Sequence, residues 1–74
     1  MTHLVILHAD DWSGLWADGA LKDEGHRIDL ASLAKHCPVE SITEYYVAEE
    51  GASLLNGEGQ FRDIPLAEAI ELYV

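Results

Sequence analysis

The chain has 74 residues, 49% of them hydrophobic, and a formal net charge of −10. A chain this short buries only about 60% of the surface its unfolded form exposes, which supports one domain over residues 1–74 with little interior left for a cavity; its apolar content argues against disorder. Fourteen acids against four Lys and Arg speak against direct binding to nucleic acid or an anionic membrane, because phosphate recognition needs cations.

Residues 3–9, H-L-V-I-L-H-A, form a continuous apolar run with Val5 and Ile6 at its centre, the pattern of a strand buried on both faces and therefore central in its sheet. Asp10-Asp11-Trp12-Ser13 follows as a loop, with acids able to accept from backbone N–H groups. Asp18-Gly19 is a preferred dipeptide for a two-residue type I′ turn, whose central positions need positive φ. That turn sets Ala17 opposite Ala20, Trp16 opposite Leu21 and Leu15 opposite Lys22, with Trp16 and Leu21 sharing one face. Lys22, Asp23 and Glu24 keep the second hairpin strand polar, which suits an edge, and Gly25 ends it.

A short helix over 29–37 follows. Asp29 is its N-cap, and Ile28 and Leu33 stand at the positions of a hydrophobic staple. Leu30, Leu33, Ala34 and Cys37 share a face at helical spacing. Lys35 and His36 sit in the last turn, where the helix dipole favours positive charge, and Pro38 stops the helix. Val39 to Val47 reads as a second long strand, with Ile42 and Tyr46 on one face and Tyr45 and Val47 on the other. Glu49 and Glu50 suit a helix N-terminus, Leu54 and Leu55 could face inward, and Asn56-Gly57 stops that element. Residues 57–63 read as a polar loop. In the last segment, Leu66, Ala69, Ile70 and Tyr73 keep helical spacing while Ile70, Leu72 and Val74 alternate as a strand would; one helical turn at 65–69 and a short strand at 70–74 are expected. The fold class is therefore α+β: a small single-layer, mostly antiparallel sheet of three to five strands, with an N-terminal central strand, a β-hairpin and one or two short helices.

The pattern D-W-x-G-L-W-x-D-G-x-L-x-x-E-G-H at Asp11–His26 resembles a motif of small uncharacterised phage and bacterial proteins, in which the second aromatic position is Trp or Tyr. Beyond that stretch the chain matches them in layout only: a short helix, a strand, then an acidic helical tail. The resemblance implies a phage or prophage setting and transfers no catalytic residue.

His8, Asp10 and Asp11 fall at the end of the first strand and, with His26, could supply nitrogen and oxygen ligands to a divalent metal. H-x-D-D is not a recognised ligand spacing, however, and short acidic clusters recur by chance in so acidic a chain. Cys37 follows His36, but neighbours on a helix point apart, and the apolar face makes Cys37 a small hydrophobe. Ser13 near His8 or His26 has no motif behind it, and no phosphate loop, dinucleotide fingerprint or zinc-finger spacing is present. No enzyme activity and no cofactor are expected.

The acidity is uneven: residues 1–37 carry six acids and three Lys or Arg, residues 38–74 eight acids and one. One cysteine excludes an internal disulfide and fits a reducing cytoplasm. No secretory leader is recognisable, and no apolar run approaches the roughly 20 residues of a membrane span. The preferred expectation is a small acidic protein-binding module that docks on a basic protein surface, with Trp12, Glu40, Glu44, Glu49 and Glu50 as contact residues. In a phage setting it would inhibit a host nucleic-acid-handling or defence protein. A metal or small-molecule site at the end of the first strand is the alternative, and a structural, self-associating protein, for instance a homodimer, is the third.

Overall fold

A computed structural model describes residues 2–74 and, except at Leu30, their side chains. The first strand, β1 (Thr2–His8), is followed by β2 (Ser13–Ala17) and β3 (Ala20–Gly25), then α1 (Leu30–Ala34), β4 (Val39–Tyr46), α2 (Glu49–Glu58) and α3 (Leu66–Tyr73). The four strands form one sheet in the order β3-β2-β1-β4. β1 is central, as its unbroken apolar run requires. It pairs antiparallel with β2 and parallel with β4, so the chain crosses one face of the sheet between β3 and β4, carrying α1.

The hairpin turn forms at Asp18-Gly19, with φ of 49° and 89°. Both residues also anchor it: the Asp18 carboxylate accepts from His3 N–H at 2.9 Å, and Gly19 C=O accepts from Leu66 N–H at 2.9 Å. Ala17 faces Ala20 and Trp16 faces Leu21, but Leu15 faces Asp23 rather than Lys22. The register shifts by one there, leaving Lys22 as the extra residue of a bulge. The shift lets β3 serve both sides of the sheet. Leu21 stays beside Trp16, while the Asp23 carboxylate accepts from the Ser32 hydroxyl of α1 at 2.6 Å.

The two faces bury different clusters. Leu4, Ile6, Leu15 and Ala17 pack under Ile28, Leu33 and Val39, so both staple residues reach the core. α1 is capped as its sequence directs, with Ser32 N–H donating to the Asp29 carboxylate at 2.9 Å. It is shorter than expected, and the Leu30 side chain proposed for its inner face lies outside the described side chains. The opposite face holds Leu7, Trp16, Leu55, Phe61, Ala69 and Tyr73 beneath α2 and α3. Trp16, Phe61 and Tyr73 meet edge to face, with centroids 5.4 and 5.0 Å apart, the geometry aromatic quadrupoles prefer. Each polar tip is satisfied: the Trp16 indole donates to Ile64 C=O at 2.9 Å, and Tyr73 OH accepts from Arg62 N–H at 2.9 Å.

Three expectations for the C-terminal half are corrected. Asn56-Gly57 does not stop α2, which continues to Glu58 and ends at Gly59 with φ of 80°; Gly59 N–H reaches back to Leu55 C=O, the capping role for which glycine suits positive φ. The polar loop 57–63 hides Phe61, which is 2% exposed. Residues 70–74 are not a strand: Leu66–Tyr73 is one helix, a third where one or two were expected. Its Ala69 and Tyr73 face Phe61 and Leu55 in the core, a demand the helical reading of the apolar residues meets and the alternating one does not.

Candidate functional site

The parallel pairing of β1 with β4 assembles the chemistry-bearing residues. It places Glu44 beside Ile6 and Tyr46 beside His8, so the end of β1 gains neighbours from 36 and 38 positions along the chain. His8 Nε2 lies 2.8 Å from Glu44 Oε1, and His8 Nδ1 lies 3.2 Å from Ser13 Oγ. Tyr46 tilts over the imidazole with centroids 5.5 Å apart. When His8 is neutral, the Glu44 carboxylate can only accept, so Nε2 carries the proton and Nδ1 accepts from the Ser13 hydroxyl. That is the polarity of a base activating a nucleophile. Ser13 is only 5% exposed, however, and surface depressions lie away from it, along α3 and beside β3. The chain Ser13–His8–Glu44 thus ties the ends of three strands together.

The proposed metal ligands do not converge. His8 is engaged with Ser13 and Glu44. His26 Nδ1 lies 3.0 Å from the Asp11 backbone oxygen, its ring edge-on to Trp12 at 5.3 Å, while Asp10 and Asp11 are exposed. Among the described residues, no three His, Cys, Asp or Glu side chains are placed to hold a metal ion.

Trp12 is half-buried, packed against the core under α2 and α3. Its indole donates to Glu24 Oε1 at 3.1 Å, and the same oxygen accepts from Phe61 N–H at 2.9 Å. The sequence marks Glu24 only as part of a polar edge strand, yet one of its oxygens fastens the β1–β2 loop to the segment that supplies Phe61. Cys37 is exposed rather than on an apolar face, and its peptide bond to Pro38 is cis.

The four glutamates proposed as contacts, Glu40, Glu44, Glu49 and Glu50, are all exposed, two on β4 and two in the first turn of α2. The stretch from Val39 to Phe61 contains no Lys, Arg or His. The next cation, Arg62, is already paired: its guanidinium lies 2.6 Å from Glu58 Oε1, which raises its pKa above the ordinary value. The nearby histidines His3 and His8 contact Glu40 and Glu44 at 3.2 and 2.8 Å; among the described residues, Glu49 and Glu50 have no such ion-pair partner. Between the acids, Ile42 is 50% and Tyr46 77% exposed, two of the three exposed large apolar side chains among the described residues. Comparison with protein-family models, with curated proteins and with solved structures finds no match. No described helix is long and apolar enough to cross a membrane.

Proposed function

We propose that the chain is a small acidic protein-binding module whose contact surface runs along β4 into the first turn of α2. The observation that carries this reading is the exposure of Glu40, Glu44, Glu49 and Glu50 on β4 and α2, elements consecutive in the chain, in a stretch without Lys or Arg. Such a surface raises the local concentration of cationic partners and steers their approach. In the phage setting that the Asp11–His26 motif implies, the module would inhibit a host nucleic-acid-handling or defence protein by occupying a basic groove.

The test is kinetic. Association with a small folded basic protein is followed on a biosensor across salt concentrations that shorten the Debye length from roughly 10 Å at 0.1 M to about 3 Å at 1 M. The Glu40→Lys/Glu44→Lys and Glu49→Lys/Glu50→Lys pairs should each slow association markedly, and Glu68→Lys/Glu71→Lys on α3, an equal change of charge, should slow it less. If all three pairs act alike, the acidity is a general surface property and the module has no such face.

A further inference from the structure

We infer that the outer edge of β4 is a strand-addition site for an extended basic segment of a partner protein, an inference that rests on the acidic docking face just proposed and specifies how it is occupied. β4 ends the sheet, and its pairing with β1 is in unbroken register over Ser41–Tyr46. The opposite edge, β3, is interrupted by the bulge at Lys22, a device that discourages pairing. β4 has no such interruption in that span.

Which backbone groups are open follows from the ladder. Val47 N–H donates inward to His8 C=O at 2.8 Å. Along a strand, the direction of the peptide groups alternates with each residue, so Ser41, Thr43 and Tyr45 also face β1, while Ile42, Glu44 and Tyr46 present N–H and C=O outward. Among the described residues, no backbone bond outside the ladder engages these three. Their side chains share one face, with Ile42 and Tyr46 flanking Glu44. An incoming Lys or Arg on that face would lay its aliphatic stem over Ile42 or Tyr46 and bring its charge to Glu44.

The charge selects the occupant. A second copy of the chain would bring two molecules of net charge −10 edge to edge. Antiparallel self-pairing about Glu44 sets that residue opposite itself, and like charges directly opposite are unfavourable. Pairing about Ile42 or Thr43 avoids that contact but not the overall repulsion. Edge acids thus act against self-association while leaving the edge open to a segment of opposite charge, for which main-chain bonds supply affinity and alternate side chains specificity.

The probe is an eight-residue peptide of alternating Lys and Val, with an alternating Glu and Val peptide as control. Binding is read by fluorescence anisotropy and strand pairing by amide hydrogen exchange of the intact protein. At saturation, the Lys peptide should slow exchange of the Ile42, Glu44 and Tyr46 amides by about tenfold or more, with the Glu peptide inert. Salt-sensitive binding that leaves those amides exchanging as before would overturn strand addition and leave the acidic face standing. No binding of the Lys peptide at low salt, or equal binding of both peptides, would overturn both. Concentration-dependent protection of these amides without peptide, matched by a dimer in sedimentation, would make a second copy the occupant and overturn the inference.

Discussion

Gly51→Ala should destabilise the protein, although alanine is the better helix former. Gly51 is buried in α2 where that helix meets the C-terminal end of α3. A β-carbon there would stand 2.6 Å from Tyr73 Cα and 2.8 Å from its carbonyl carbon, against roughly 3.5–4.0 Å for carbons in favourable contact. The obstacle is backbone, so no rotamer change relieves it, and α2 must move from α3 by about 1 Å. Overpacking of this kind costs about 1–3 kcal/mol. The movement also strains the bond from Ala48 N–H to Tyr73 C=O, now 2.9 Å, a contribution of about 0.5–1.5 kcal/mol. Against this stands a helix-propensity gain of at most about 1 kcal/mol. The net loss of about 1–3 kcal/mol should lower the melting temperature by roughly 5–20 °C for a domain of this size. Urea titration and thermal unfolding followed by circular dichroism measure it. Gly57→Ala in the same helix is the control: nothing lies within 4 Å of its would-be β-carbon, so it should be neutral or stabilising by up to about 1 kcal/mol. A Gly51→Ala protein as stable as the parent would refute the close seating of α2 on α3.

Other substitutions probe the remaining joints. Gly19→Val places a β-branched residue at φ of 89° and should cost more than about 1 kcal/mol; an unchanged urea midpoint would contradict the turn. Glu24→Ala strands the Trp12 indole N–H and the Phe61 N–H and should cost about 1–3 kcal/mol, with a change in tryptophan fluorescence reporting loss of the Trp12 contact. The Ser32 backbone N–H, with the charge of Lys35 beside it, holds the Asp29 carboxyl below its ordinary value. Its contribution is therefore present above the unfolded-state pKa of about 3.9 and lost as pH falls through the lower folded value. Asp29→Ala should lower the melting temperature at pH 7, with the gap to the parent closing in strong acid, and Asp29→Asn should restore most of the loss; a gap independent of pH would place the cap elsewhere.

The features legible in the sequence are those whose cause is local. Asp18-Gly19 specifies its turn by the φ values those residues tolerate, Asp29 caps α1 by reaching three residues ahead, and the run from His3 to Ala9 is central because only a strand covered on both faces accommodates it. The acidity of the second half was equally plain. Local pattern did not show that β1 and β4 run parallel, and that pairing is what joins His8 to Glu44 and Tyr46 and leaves the outer edge of β4 open. The strand pattern of each was visible, but not their partnership across more than thirty residues. Nor did it show Phe61, a lone aromatic in a polar stretch that is buried only because Gly14 lacks a side chain beneath its ring; a β-carbon on Gly14 would stand 2.7 Å from that ring. The last segment shows the division most clearly. Its apolar residues fit both periods, and the choice fell to the space between Leu55 and Phe61, which Ala69 and Tyr73 fill from one face of a helix. Where two local periods are nearly balanced, the burial each permits in the assembled core decides between them.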